Sequence, residues 1–414
     1  MSLFGLFDGG ERRDNIQNPA TPLTSASLLD LLGGQIVEAG VAVTPTGSLE
    51  MSAVYRAVTL ISSVAAAMPM VVYAKGTKDK QQSTLLDDPH PDLTPYEFWR
   101  LSYAHRCLWG NFYAQKLRDG LGQIKYLYPL KPHSVKVGKA KPIAANPSGK
   151  VFEITLESGE TVVRTPREIL HIPGFGYDGV AGVSPIKLAA QGIGTALAAE
   201  RYSGKLFGSG NLMSGILQTD QRLQQEDAEK LQARWKAKVS GLNRAHETVV
   251  LDAGAKFQQL TMSMVDAELL ASRHFEIVEI GRFFGVPPFL MMETEKTTSW
   301  GTGLEQQSLG FVRYDLHPQW LAPTEQRISK ELTGTDTEVR YNLDSLLRGD
   351  TAARTQFYQM MRMVGAFSAN DIRDREDLPP IADGNSYLQP ANMWPLGYTP
   401  PDGGNNGSPK PSGD

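Results

Sequence analysis

The stretch GVPPFLMMETEKTTSWGTGLEQQSLGF, residues 285–311, lies between two segments with helical patterns. Two prolines stand near its start, and glycines and small hydroxyl residues surround Trp300. A connection of this length inside a folded chain is usually functional or lacks regular structure. The fold of this part of the chain therefore depends on the flanking segments, and the function depends on what the loop contacts.

The flanking segments predict a protruding stalk. Residues 304–334 keep a helical pattern for roughly 30 residues, and Pro318 and Pro323 should kink that helix. Before the loop, DAELLASRHFEIVEIGRFFG at 266–285 predicts a helix with one apolar side. A polar helix at 221–241 precedes it, and a small hairpin turning at Asp252-Ala253-Gly254 is predicted between these two helices.

The chain up to about residue 215 predicts a mixed domain of helices and hairpins. Ser48, Thr94 and Ser184 stand where helix caps are expected, and Pro95 and Pro185 follow two of them. Asp119-Gly120 between two alternating runs predicts a hairpin. The predicted strands and hairpins are MVVYA (70–74), NFYAQKLRDGLGQIKYLYPL (111–130), VFEITLESGETVVR (151–164) and EILHIPG (168–174).

Composition excludes several classes of protein. The 414 residues include 41 Lys and Arg against 45 Asp and Glu, so the chain lacks the basic excess of a general DNA-coating protein. Cys107 is its one cysteine, which favours an intracellular protein without disulfides. No apolar run of 18 residues predicts a membrane span, and the first residues do not resemble a secretory signal.

No motif predicts catalysis. The glycines of GIGTALA (192–198) lack the third glycine and the preceding strand of a dinucleotide site, and helix packing explains them better. GSGNLMSG (208–215) lacks the Lys and Ser or Thr of a phosphate loop. The seven histidines have no metal-ligand spacing on one helix, and Cys107 fits a small core residue. We therefore expect no enzyme, no metal and no cofactor.

The sequence resembles the portal proteins of tailed bacteriophages, in the short form typical of long-tailed phages. Five motifs carry the resemblance in the family's order over about residues 48–390. They are MSAVYRAVTLISSVAAAMPMVVY, DPHPDLTPYEFWRLSYAHRCLWGNFYAQKLRDGLGQIKYLYPL, REILHIPGFGYDGVAGVSPIKLA, FFGVPPFLMMETEKTTSWGTGLEQQSLGFV and SANDIRDREDLPPIADG.

This resemblance implies an α+β portal fold that forms rings, with a wing, a helical stem, a small clip, a long kinked helix and a helical crown. The implied division is a flexible arm at 1–47, a wing at 48–215, a stem helix at 216–243, a clip at 244–263, a second stem helix at 264–289, a channel loop at 290–303, the kinked helix and the rest of the wing at 304–349, a crown at 350–390 and a disordered tail at 391–414.

The resemblance also implies a ring of twelve copies at one capsid vertex, in the virion and, during assembly, in the host cytoplasm. Double-stranded DNA passes through the ring without sequence specificity. The implied partners are the large terminase, a head-tail connector or adaptor, and the major capsid protein or a scaffold. The candidate residues are the channel-loop set Glu293, Glu295, Lys296, Thr297, Thr298, Ser299 and Trp300, and the clip set Glu247, Asp252 and Lys256.

Two other classes remain open from the residues themselves. A capsid shell or scaffold protein would form closed shells or fibres instead of a ring with a hole. A nucleotide-binding packaging enzyme would use a degenerate glycine loop, and the missing Lys-Ser/Thr pair argues against it.

Overall fold

A computed structural model gives the fold of the chain. The structure describes residues 33–176, 178–208, 215–218, 225–226, 229–230, 233, 256–259, 275–293, 302–343, 351–376 and 378–388. The chain divides into two compact units, Met1–Asn342 and Leu343–Asp414. Each helix in the described part is too short or too polar to cross a membrane.

Thirteen strands are described, all in the first unit. They are β1 (Gln35–Ile36), β2 (Ala42–Val43), β3 (Met70–Ala74), β4 (Lys80–Gln81), β5 (Asn111–Arg118), β6 (Ile124–Leu130), β7 (Val135–Lys139), β8 (Lys150–Thr155), β9 (Thr161–Arg164), β10 (Ile169–Pro173), β11 (Gly215–Gln218), β12 (Lys256–Gln259) and β13 (Thr337–Tyr341).

The helices of the first unit are α1 (Ser52–Ala67), α2 (Thr84–Asp87), α3 (Pro95–Trp109), α4 (Pro185–Leu188), α5 (Ala190–Gly208), α6 (275–284), α7 (Thr302–Phe311) and α8 (Ala322–Glu331). The second unit contains α9 (Thr351–Met363) and α10 (Ala369–Arg375). A π-helical segment, Val312–Leu321, joins α7 to α8, so helical structure runs through both prolines that were expected to kink it.

Small antiparallel sheets organise the first unit. Their strand orders are β1-β2, β10-β5-β6, β11-β12, β13-β3-β4 and β7-β8-β9. Strand β13 pairs with β3, although more than 260 residues separate them in sequence (Thr337 pairs with Ala74). The segment after the channel loop therefore returns to complete a sheet that begins near the N-terminal end of the described chain.

Local sequence signals fix α3 and the turn after it. Thr94 and Glu97 form a capping box at the first turn of α3. Gly110 ends the helix with φ 74°, and a Cβ there would lie 2.3 Å from the backbone oxygen of Val183. Ser184 caps α4 and donates to the backbone oxygen of Leu108 at 2.6 Å. These predicted caps are confirmed, and they bring α4 against the end of α3.

Two apolar clusters hold the sheets and helices together. The larger one draws side chains from α3, β3, β5, β6, β10, α8 and β13: Val72, Phe98, Trp99, Phe112, Leu127, Leu170, Ile172, Ile328 and Val339, among others. The smaller one lies between the β7-β8-β9 sheet and the β10-β5-β6 sheet. It consists of Tyr113, Val135, Phe152, Ile154 and Ile169. Because α8 and β13 contribute to the larger cluster, the chain from α8 to β13 is built into the same core as α3.

Two expectations near the N-terminal side need correction. Ser48 does not cap α1. It lies in a 3-10 turn, Gly47–Glu50, and its buried hydroxyl donates to the backbone oxygen of Pro45, while Met51 occupies the cap position. Residues 33–47, which the sequence placed in a flexible arm, include the β1-β2 hairpin. Val37 of that hairpin is buried, and a Cβ at Gly194 of α5 would clash with it.

The predicted start of the first stem helix also needs correction. Strand β11 occupies residues 215–218, where a stem helix was expected to begin, and it pairs with β12. The clip hairpin was predicted to turn at Asp252-Ala253-Gly254, which lies outside the described residues, and residues 256–259 of the predicted clip form β12, paired with β11. Gln218 and Lys256 are direct partners, so they lie side by side at one end of this two-stranded sheet. Residues 225–226, 229–230 and 233 within the predicted stem helix are helical.

The described part of the second unit contains two short helices, within the range where a helical crown was predicted. Gly365, which has φ 67°, prevents the helix from continuing after α9. Ser368 and Asp371 form a capping box that starts α10. Tyr358 donates to Glu376 at 2.6 Å, and Arg354 lies 3.5 Å from the same carboxylate, so the two helices are joined through one acidic side chain.

Candidate functional site

The chain turns sharply between α6 and the predicted channel loop, and this turn is built on glycine and proline. Helix α6 ends at Gly285, which has φ 69°, and a Cβ there would lie 2.8 Å from Oδ1 of Asp315. Pro288–Met291 form a 3-10 turn, and Met292 follows with φ 64°. A side chain at position 285 would thus be strained by its backbone and crowded by the π segment.

Hydrogen bonds to two backbone oxygens hold this turn in place. Nε of Arg56, on α1, donates to the backbone oxygen of Leu290 at 2.9 Å. The backbone N–H of Glu293 donates to the oxygen of Pro288 at 3.0 Å. Met291 is buried, whereas Met292 is 73% exposed. The loop therefore starts from a fixed turn whose last described residues lie at the surface.

The far end of the loop continues into α7 and then into the π segment. A π-helix of ten residues is unusual, because π-helical structure mostly occurs as single turns at functional sites. Pro318 lies within it, and Pro323 follows in the first turn of α8. Neither proline has an N–H, so two carbonyls of a regular ladder lack their donors here.

A buried arginine from α3 meets this irregular helix. Arg106 is 1% exposed, and its Nη1 donates to the backbone oxygen of Trp320 at 2.8 Å and to Oγ1 of Thr324 at 2.9 Å. Its Nη2 donates to the backbone oxygen of Gln319 at 3.2 Å. The guanidinium also lies 5.4 Å from the ring centroids of Tyr103 and Trp320. Burial lowers the pKa of Arg106.

Tyrosine and glutamate side chains extend this network to the sheet. The hydroxyl of Tyr103 lies 2.7 Å from that of Tyr341, on β13. Burial raises the pKa of both phenols, so both remain neutral donors and acceptors. Glu325, on α8, accepts the backbone N–H of Tyr341 at 2.7 Å, and its other oxygen lies 3.5 Å from Nε2 of His317. One hydrogen-bonded group thus connects α3, the π segment, α8 and β13.

A second buried polar cluster lies in the sheet region. Nζ of Lys150 is 2.7 Å from Nδ1 of His171, and Nε2 of His171 is 2.9 Å from Oδ1 of Asn111. Asn111 also binds both the backbone N–H and the carbonyl of Gly182. Burial lowers the pKa of Lys150 to about 8 and holds that of His171 well below 6.5. The cluster ties the 174–184 loop to β5 and β10.

The structure describes only part of the predicted site. Glu293, at the end of the 3-10 turn, is partly buried. Glu295, Lys296, Thr297, Thr298, Ser299 and Trp300 lie outside the described residues, as do Glu247 and Asp252 of the clip set. Lys256 is the first residue of β12 and pairs with Gln218. The candidate sets therefore stay predictions.

The Arg106 network was not found from the sequence. Arg106 sits at helical spacing from Trp99 and Tyr103 in an otherwise apolar helix face, and that position was the available signal. In the described ranges, no three His, Cys, Asp or Glu side chains are grouped so that they could hold a metal ion. Cys107 is buried, and burial raises the pKa of its thiol, which disfavours a nucleophilic role.

Comparisons with known proteins agree with the portal fold. The profile of the phage portal protein family matches residues 52–377. The chain is 32% identical to the probable portal protein of Streptomyces phage phiC31 over 387 residues, which cover 89% of this chain and 83% of that one. It is also 32% identical to the portal protein of Enterobacteria phage HK97 over 371 residues, 84% of this chain and 83% of that one.

Solved structures show the same fold at lower identity. The neck of a native gene transfer agent particle, computed with C12 symmetry, matches with a TM-score of 0.55 at 22% identity, covering 81% of this chain and 92% of that one. An HK97 family phage portal protein from Corynebacterium diphtheriae matches with a TM-score of 0.55 at 15% identity, covering 76% and 98%. The fold is that of a viral structural protein. The chain belongs to the phage portal protein family.

Proposed function

We propose that this portal protein forms a ring of twelve copies at one vertex of the capsid, where double-stranded DNA enters during packaging and leaves during ejection. The family match over residues 52–377 carries the proposal. The similarity to a neck assembly computed with C12 symmetry supports the subunit number. The protein would be a virion component that assembles in the host cytoplasm.

Residues 290–303 would line the channel of that ring. The loop begins at a turn that Arg56 holds, and it ends in α7, which continues into the π segment whose far end Arg106 binds, so the chain on both sides of the loop is anchored to one compact unit. Its charged residues are Glu293, Glu295 and Lys296. Twelvefold repetition turns such small charges into a ring of charge, and a nearly neutral or acidic ring would let DNA slide instead of binding it.

The clip residues Glu247, Asp252 and Lys256 would face the large terminase and the head-tail connector, and the outer surface would meet the major capsid protein or a scaffold. We expect no enzymatic activity and no cofactor in the ring itself, because packaging would be driven by the separate terminase. A shell or scaffold protein and a nucleotide-binding enzyme are the competing functions, and neither fits the family match.

Electron microscopy and native mass measurement of the purified protein test the ring. Twelve copies of 45.3 kDa give a particle of about 544 kDa, with an open centre wide enough for duplex DNA. Closed shells or fibres would instead favour the shell protein. A compact monomer that hydrolyses ATP would overturn the proposed function. Deletion of 294–301 should leave the ring intact and impair packaging or genome retention, and normal values of both would remove the channel role of the loop.

A further inference from the structure

Arg106 is a buried cation whose partners are all neutral. Among the residues that the structure describes, its hydrogen bonds go to the carbonyls of Gln319 and Trp320 and to the hydroxyl of Thr324, and no ion pair joins it to a carboxylate. Burying an unpaired charge is costly, so such an arginine needs strong compensation from dipoles and rings. Here the carbonyl dipoles of a helix and two aromatic faces supply that compensation.

One of the two carbonyls that Arg106 binds lacks its α-helical donor, and the other, that of Trp320, also accepts the hydroxyl of Thr324 at 3.0 Å. In an α-helix the carbonyl of Gln319 accepts the N–H of residue 323, and Pro323 has none. Nη2 of Arg106 lies 3.2 Å from that oxygen, and Nη1 reaches the next carbonyl. The planar fork of a guanidinium can serve both carbonyls at once, whereas the ammonium of lysine is a compact point charge on a flexible stem.

We propose that Arg106 is a positioning residue for the channel loop. It fixes the junction between the π segment and α8 to α3, and thereby sets the direction in which α7 returns from the loop. The idea rests on the proposed function of residues 290–303, because the loop is the segment that α7 positions. The buried Nε of Arg106 and Nε1 of Trp320 have no acceptor in the described part of the chain, so the hydrogen bonds of the anchor all come from Nη1 and Nη2 of Arg106.

Hydrogen exchange of the assembled full-length ring tests the anchor directly. In Arg106→Lys, amides of residues 313–322 should exchange about tenfold faster than in the wild type, which corresponds to a loss of about 1.4 kcal/mol, while amides of α5 keep their rates. Phe98→Leu is the matched control, because Phe98 is buried on the same helix but belongs to the apolar cluster. It should change the thermal midpoint without selective exchange at 313–322.

Genome retention separates positioning from simple stabilisation. Particles carrying Arg106→Lys should contain rings of normal mass. They should hold less DNA than particles carrying Phe98→Leu, even where Phe98→Leu lowers the thermal midpoint as much or more. Equal exchange in 313–322 and α5 would overturn the proposal. Selective exchange with full genome retention would also overturn it, because the helix would then be anchored without consequence for the loop. Failure of the wild type to form rings would instead refute the proposed function.

Discussion

Gly285 shows how one backbone position controls the turn that leads into the predicted channel loop. Its φ of 69° favours glycine, and the space beside it is filled by Asp315. We expect Gly285→Ala to lower the free energy of unfolding by about 1–2 kcal/mol, because alanine is strained at positive φ and must displace a carboxylate. Chemical denaturation of the purified protein measures this change.

Gly192 provides the matched control for that substitution. It lies exposed within α5, and a Cβ there would have no heavy atom within 4 Å. Gly192→Ala should therefore leave stability unchanged or raise it by up to about 1 kcal/mol, because alanine favours the helix. If both substitutions changed the free energy of unfolding equally, neither the positive φ nor the crowding would be the reason that glycine is required at position 285.

His105 makes the stability of the first unit depend on pH. Burial, followed by the nearby His133, lowers the pKa of His105 from 6.5 to about 4. As the pH falls below 6.5, His105 becomes protonated in the unfolded chain, whereas in the folded chain it stays neutral down to about pH 4. This residue alone should therefore lower the free energy of unfolding by about 1.4 kcal/mol for each pH unit of acidification between these values. Denaturation curves at pH 7, 6, 5 and 4 give that slope.

Replacing the imidazole isolates its share of the pH dependence. His105→Leu should reduce the slope of the free energy of unfolding against pH between pH 6.5 and 4. The reduction should be at most the slope that corresponds to one bound proton, about 1.4 kcal/mol per pH unit. His171, whose pKa also lies well below 6.5, should still contribute in the same direction. An unchanged slope in His105→Leu would mean that His105 titrates normally in the folded protein.

At the scale of elements, the sequence revealed what is local. The capping box at Thr94 and Glu97, the cap at Ser184 and the β5-β6 hairpin each depend on residues a few positions apart. Strand β13 was missed because its five residues form a strand by pairing with β3, which is distant in sequence. Arg106 was missed as an anchor for the same reason, since Trp320, whose carbonyl it binds, is 214 positions away.

The β11-β12 pair makes a further element-scale prediction. Ile216 and Gln258 are direct Cα partners, and opposed residues of an antiparallel pair lie within disulfide distance. In a Cys107→Ala background, Ile216→Cys with Gln258→Cys should form a disulfide on mild oxidation, detected by intact mass after alkylation. Ile216→Cys with Lys256→Cys, two residues out of register, should remain largely reduced. Equal oxidation of both pairs would contradict the register.

That pairing changes how the stem and clip are divided. A predicted stem helix at 216–243 and a clip at 244–263 assumed that the chain leaves along one helix and returns along another. The pairing of Gln218 with Lys256 instead places a strand at 215–218, the start of the predicted stem helix. The pattern at 221–241 predicted helix, and residues 225–226, 229–230 and 233 within it are helical, but periodicity carries no information about which strands pair on either side of it.

At the scale of the whole molecule, the charge of the loop decides how a ring would treat DNA. Residues 290–303 carry two acids and one base, so Glu295→Lys changes their net charge from −1 to +1. Twelve copies would then add about 24 positive charges to the channel, and multiplied phosphate contacts should bind DNA in a strongly salt-dependent manner. DNA release from filled particles should slow at low salt and recover as the salt concentration rises.

Glu160→Lys makes the same charge change at an exposed position between β8 and β9, outside the loop. Ring mass and thermal midpoint should match between the two variants, so a slower release confined to Glu295→Lys would report on the channel and not on the global charge. Equal release rates at low salt would mean that residue 295 does not approach DNA. Slower release in both variants would point to the field of the whole particle, because a charge outside the loop would act only at long range. The salt dependence separates these cases, since a direct phosphate contact is lost with a steep logarithmic slope while a distant charge is screened at the first additions of salt.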